Sequence, residues 1–210
     1  MRCAPHYPSL AEAAARLKPP PSAHRLPSLI LMTDRLRLAD PLTAVGRLPR
    51  GAAVIVREFA AADRARLAAR LRPICRRRGL RLLIAGDWRQ AATLRADGLH
   101  LPEHQLRRGS RPWAGYARHW LITAAAHSRL ALRQAMTIGC DAALLSPVFP
   151  TASHPGQPVL GALRFVRLVR TAPLPVYALG GITALTAVRL AGSGAAGFAA
   201  IGGLSSMSRS

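Results

Sequence analysis

Short, nearly uninterrupted apolar runs recur along the chain, and segments with helical spacing separate most of them. The runs are Leu29 to Thr33, Ala52 to Val56, Leu80 to Ala85, Gly98 to Leu101, Trp120 to Ala124, Ala142 to Leu145, Val176 to Leu179 and Gly197 to Ile201. Runs of this length without strict alternation predict strands covered on both faces, as in a parallel sheet. Between them, Leu67, Leu71 and Ile74 fall on one face of a predicted helix from Ala61 to Arg78, which Gly79 stops. Leu130, Gln134 and Ile138 predict a buried helical stripe before Gly139, and Leu163, Val166, Leu168 and Val169 predict another before Pro173. Ser9 is placed to cap a short helix through Lys18, halted by Pro19, Pro20 and Pro21.

Strands alternating with amphipathic helices specify an α/β fold with a parallel sheet. Eight strands is the number that closes a TIM (β/α)8 barrel. An open doubly wound sheet would show a glycine-rich turn after its first strand, but here that strand ends in Thr33-Asp34-Arg35. The expectation is a single barrel domain over residues 29–204. An N-terminal helix and Pro-rich lead-in occupy 1–28, the last helix is shortened, and 205–210 form a tail.

Composition narrows the picture in two ways. Half of the 210 residues are hydrophobic, which suits one well-buried domain. Cys3, Cys75 and Cys140 are an odd, dispersed set, which argues against a disulfide framework and for a reducing compartment. The formal charge of +21 comes almost wholly from arginine, because Lys18 is the one lysine. These arginines are spread through helical segments, with Arg76-Arg77-Arg78 as the one dense run, and aromatics are scarce. Solvated helix faces explain this better than a nucleic-acid interface, which would need stacking platforms as well. No secretory signal is visible at the start, and glycines and Arg189 break the apolar region from Pro175 to Leu204. A soluble cytoplasmic protein without membrane association is the expectation, and a homo-oligomer is compatible with it.

Candidate chemistry lies at three strand endings. Leu144-Leu145-Ser146-Pro147-Val148-Phe149-Pro150-Thr151, Leu179-Gly180-Gly181-Ile182 and Phe198-Ala199-Ala200-Ile201-Gly202-Gly203 each pass from apolar strand into residues suited to tight turns. Main-chain N–H groups bared by glycine can hold a phosphate without a charged side chain. In a barrel, the loops after strands seven and eight are the usual place for such a cradle. Gly180, Gly181, Gly202 and Gly203 are therefore candidate phosphate-binding residues. No zinc-spaced Cys/His cluster, P-loop or recognisable Ser–His–Asp signature accompanies them.

Ordered pieces along the chain carry a resemblance. They are Leu31-Met32-Thr33-Asp34, Val54-Ile55-Val56-Arg57-Glu58, Ala85-Gly86-Asp87, Ala96-Asp97-Gly98-Leu99-His100-Leu101, Ala126-His127-Ser128 and the three endings above. Together they resemble the thiamine phosphate synthase/TenI family from about Leu29 to Gly203. The resemblance implies a thiamine-biosynthetic barrel. The synthase couples a hydroxymethylpyrimidine diphosphate to a thiazole phosphate with magnesium, whereas the TenI branch binds the thiazole phosphate and moves protons on it.

Departures from the synthase pattern favour the TenI side. A Gln-x-Arg-x-Lys pattern is matched by Ile55, Arg57 and Phe59, and an Asn-Asp pair by Gly86 and Asp87. Where the synthase has a second carboxylate, this chain has Gln105, and Asp87 is left as a weak metal ligand with Glu103 as a substitute. Thr-x-Thr-Lys becomes Thr151, Ala152, Ser153 and His154, which keeps substrate-binding hydroxyls at Thr151 and Ser153 but loses the cation. The resemblance gives His127 the role of acid/base and Arg57 that of orienting an anion. Two alternatives stay open. One is a divergent magnesium-dependent synthase using Arg57, Asp87, Thr151, Ser153 and Glu103; the other is a non-catalytic barrel for a phosphorylated ligand or nucleic acid.

Overall fold

A computed structural model of the protein describes residues 9–58, 60–115, 118–151 and 156–201. Eight strands pair in parallel around a closed barrel: β1 (Leu29–Met32), β2 (Ala53–Val56), β3 (Arg81–Ala85), β4 (Gly98–Leu101), β5 (Leu121–Ala126), β6 (Ala142–Leu145), β7 (Val176–Ala178) and β8 (Gly197–Ala200). The ring closes where Leu29, Ile30 and Leu31 meet Phe198, Ala199 and Ala200. The helices are α1 (Leu10–Ala15), α2 (Pro41–Gly46), α3 (Ala61–Arg78), α4 (Trp88–Thr93), α5 (Glu103–Leu106), α6 (Arg129–Thr137), α7 (Gly161–Thr171) and α8 (Ala184–Ala187). This is the TIM-barrel architecture expected from the alternating pattern.

Two apolar layers explain why the strands read as continuous hydrophobic runs. Outward residues such as Leu31, Val54, Val56, Ile84 and Leu99 pack with the helices, including Leu71 of α3 and Phe165 of α7. Inward residues such as Ile30, Met32, Ile55, Leu83, Leu144 and Tyr177 fill the lumen as a second cluster. Tyr177 donates its hydroxyl to the Pro27 carbonyl at 2.6 Å, which ties the lead-in to the barrel interior. Burial pushes the Tyr177 phenol well above its ordinary range.

Local signals set most boundaries. Ser9 and Glu12 form a capping box at α1, with the Glu12 carboxylate accepting the Ser9 N–H at 2.6 Å. Gly79 ends α3 in the left-handed conformation at φ 64°.

Two helical faces match the expected ones only in part: Ile138, Leu168 and Val169 reach the core, but the leading leucines do not. On α6 the buried stripe is Ala131, Leu132 and Ala135, while Leu130 is 65% exposed. On α7 Phe165 is buried and Leu163 is 80% exposed. A helix turns 100° per residue, so Leu163 lies about 200° from Phe165, and Leu130 sits one step off the Ala131–Ala135 line. The shortened final helix expected after Gly203 lies outside the described residues. Among the described residues no helix is long and apolar enough to cross a membrane.

Candidate active site at the carboxyl ends of the strands

Strand parity carries the chemistry to one end of the barrel. Ala53 and Ile55 of β2 face the lumen, so Arg57 continues that row just past the strand. Its guanidinium meets Asp34 Oδ2 at 2.6 Å, and its main-chain N–H donates to Thr33 Oγ1 at 3.1 Å. Asp34 also accepts from Arg37 at 3.0 Å and from the Leu36 N–H at 3.1 Å. The ends of β1 and β2 are thereby stapled together, and two guanidiniums against one carboxylate leave that rim electropositive. The helix that follows has its own cap, Asp40, which accepts the Thr43 N–H at the start of α2 at 3.1 Å.

Across the mouth, His127 follows β5 immediately. Ser128 caps α6 by accepting the Ala131 N–H at 3.1 Å, so capping does not engage the imidazole. The His127 side chain is 52% exposed, and its Nδ1 lies 2.6 Å from Glu103 Oε2. The same oxygen accepts the His127 main-chain N–H at 2.7 Å. Glu103 begins α5, and Gln105 on that helix donates its amide to the Gly86 carbonyl at 2.9 Å. An imidazole fixed in this way and open to solvent can exchange protons with a bound ligand.

His100 plays another part. It is buried in β4 with Nδ1 2.9 Å from Thr123 Oγ1. Burial, aided by the Arg57 charge, pushes its pKa down to about 3, and the ring is neutral at ordinary pH.

The third side is formed by the loops after β6 and β7. Val148 and Phe149 donate their N–H groups to the carbonyls of Leu179 at 2.9 Å and Gly180 at 3.0 Å. Gly180 has φ 91° and Gly181 φ 65°; a Cβ at Gly180 would lie 2.8 Å from Pro147 Cα, and one at Gly181 would overlap the Pro150 carbonyl oxygen and lie 2.8 Å from Phe149 Cβ. Glycine is needed for both the left-handed backbone and the close approach. Thr186 holds the turn by donating to the Gly181 carbonyl at 2.7 Å. Among the described residues, no protein acceptor takes the N–H groups of Gly181 and Ile182. Thr151 is half-buried at the end of the described β6 loop. Ser153, Gly202 and Gly203 lie outside the described residues.

The sequence of the whole barrel matches a known family. A family model described as thiamine monophosphate synthase matches residues 29–204. The chain belongs to the thiamine phosphate synthase/TenI family. Among relatives, the thiamine-phosphate synthase of Thiobacillus denitrificans is 33% identical over 145 residues, which cover 68% of each chain. That of Bacillus velezensis is 25% identical over 176 residues, covering 80% of this chain and 78% of the relative. A thiamine phosphate pyrophosphorylase structure from Pyrococcus furiosus superposes with a TM-score of 0.68 at 22% identity, over 85% of this chain and 87% of that one, and shows the shared fold. These matches make the protein an enzyme of a thiamine-biosynthetic family.

Magnesium, which the synthase branch implies, can be tested against the donors this family member offers. Asp87 Oδ1 caps α4 by accepting the Gln90 N–H at 3.0 Å, while Oδ2 faces Arg64 at 3.8 Å. Arg64 is itself held by the Glu58 carbonyl at 2.9 Å and by Gln90 Oε1 at 2.6 Å. Glu103 is taken up with His127, and the Gln105 amide with Gly86. Among the described residues, no three His, Cys, Asp or Glu side chains converge, so a magnesium ion would depend on one or two carboxylates and on substrate oxygens. A cation thus stands beside Asp87, and one oxygen of Glu103 already holds two N–H groups, so a magnesium ion here would compete with partners the carboxylates already have.

Asp34, Arg37, Arg64 and the Glu103–His127 pairing have no local signature. The Asp34–Arg57, Arg64–Gln90 and Glu103–His127 partners lie 23 to 26 residues apart and meet because neighbouring strand–helix units of a parallel barrel lie side by side.

Proposed function

We propose that the protein is a TenI-like enzyme that binds a thiazole phosphate and moves a proton on its ring through His127. The observation that carries this reading is the Glu103-held imidazole after β5, two strands round the barrel from the Gly181 and Ile182 N–H groups, which have no acceptor among the described residues. The phosphate would lie on those amides, joined by Thr151 and, in the reading from sequence, by Ser153, Gly202 and Gly203. Arg57, held by Asp34, would orient the ring from the opposite rim.

In this mechanism neutral His127 accepts a proton from a ring carbon at Nε2, and the imidazolium returns a proton elsewhere on the conjugated ring. The product is the aromatic tautomer, with no net oxidation and no leaving group. Lumen residues Met32, Ile55 and Ala85 would give the ring an apolar floor and limit water beneath it. The enzyme would work in the cytoplasm, where Cys75 and Cys140 are buried thiols pushed up to about 12 by desolvation and are inert as nucleophiles.

The synthase reading has its own support in the names of the relatives and in the presence of Arg57 and Asp87. One experiment separates the two: thiazole phosphate tautomerisation with EDTA, beside thiamine phosphate formation from the two substrates with and without magnesium. The proposal expects metal-independent tautomerisation and negligible coupling. Robust magnesium-dependent coupling without tautomerisation would replace it with the synthase.

A further inference from the structure

We propose that Glu103 is a positioning residue that sets the tautomer and ring plane of His127. This rests on the reading of His127 as the proton-transfer group. One carboxylate oxygen, Oε2, takes both N–H groups on the near side of the histidine: the main-chain N–H at 2.7 Å and ring Nδ1 at 2.6 Å. An ionised carboxylate only accepts, so Nδ1 carries the hydrogen. In the neutral ring Nε2 is then the lone-pair nitrogen, and it points away from Glu103. Two bonds from one residue to a single oxygen also fix the ring's rotation, which is otherwise loose for a side chain this exposed.

Glu103 is itself built in. The four-residue helix that carries it is anchored by buried Leu106 and by the Gln105 amide on the Gly86 carbonyl. The carboxylate thus approaches His127 from a fixed base at the end of β4, the strand beside β5. Its role is to keep one nitrogen of a solvent-facing imidazole ready to accept a proton in every turnover.

The test uses 15N-labelled full-length protein, with the His127 ring signals assigned by their loss in His127→Asn. The wild type shows a protonated Nδ1 and an unprotonated Nε2 above the ring's titration. Glu103→Ala populates both tautomers and lowers kcat for tautomerisation about tenfold to a hundredfold, the range seen when a ligand's orienting partner is removed. KM for the thiazole phosphate stays within about twofold, because the phosphate is gripped across the mouth. Glu103→Gln keeps an oxygen acceptor and restores the tautomer with part of the rate, and thermal midpoints confirm that both variants fold. Wild-type ring signals and kcat in Glu103→Ala overturn the proposal, as does a loss confined to KM. A fully active His127→Asn would instead defeat the proton-transfer reading, while the ring spectra still decide what Glu103 does.

Discussion

Gly181→Ala is the sharpest structural probe of the phosphate cradle. Its φ of 65° costs a residue with a Cβ about 1–2 kcal/mol. The new methyl would also overlap the Pro150 carbonyl oxygen and sit 2.8 Å from both Phe149 Cβ and the Phe149 carbonyl oxygen, against a loop already hydrogen-bonded to its own. Relieving that overlap must separate the β6 and β7 loops, at about 1–3 kcal/mol of packing strain. The sum is about 2–5 kcal/mol. Gly109→Ala is the control: φ is 63°, but a Cβ there meets nothing within 4 Å, so only the backbone strain remains. Urea unfolding should place Gly181→Ala about 1–3 kcal/mol below Gly109→Ala. Calorimetry should show thiazole phosphate affinity reduced at least about tenfold in the first variant and unchanged in the second. Equal stability losses with equal affinities would refute the loop-contact argument.

Two further outcomes follow from the site. His127→Asn should lower kcat about 10²- to 10⁴-fold with little change in KM, the usual loss for a general acid–base group; steady-state tautomerisation kinetics check this, and a wild-type kcat removes His127 from the mechanism. His100 makes stability depend on pH. Its folded pKa of about 3 lies below the ordinary 6.5, so between those values the unfolded chain binds a proton that the folded chain excludes. Stability therefore falls as pH drops through 6.5, by about 2 kcal/mol from pH 7 to pH 5 for this one group. Urea midpoints at the two pH values should show that portion of the slope missing in His100→Asn, and an unchanged slope would contradict a neutral buried ring.

The barrel was legible because its strands are buried on both faces and its helices have firm stops. The α3 range came from the Leu67, Leu71 and Ile74 stripe with Gly79 behind it. The expected α6 and α7 faces hold at Ile138, Leu168 and Val169, which reach the core, and fail at Leu130 and Leu163, where alanine and a single phenylalanine make the contact instead. In α6 the helix packs closely through Ala131 and Ala135, leaving Leu130 outside. At the site, Arg57 and His127 were visible as polar residues just past apolar strands. Their partners were not, because the Asp34–Arg57 and Glu103–His127 contacts come from the side-by-side ends of neighbouring strands. For Asp87 and Glu103 the sequence shows the carboxylates but not the N–H groups they accept, from Gln90 and from His127.

An experimental structure with thiazole phosphate bound is the most direct measurement. The account predicts phosphate oxygens within hydrogen-bond distance of the Gly181 and Ile182 N–H groups, with the thiazole ring facing His127 Nε2. A phosphate seated on Arg37 and Arg57 with those amides unused, or a ring beyond reach of His127, would contradict it.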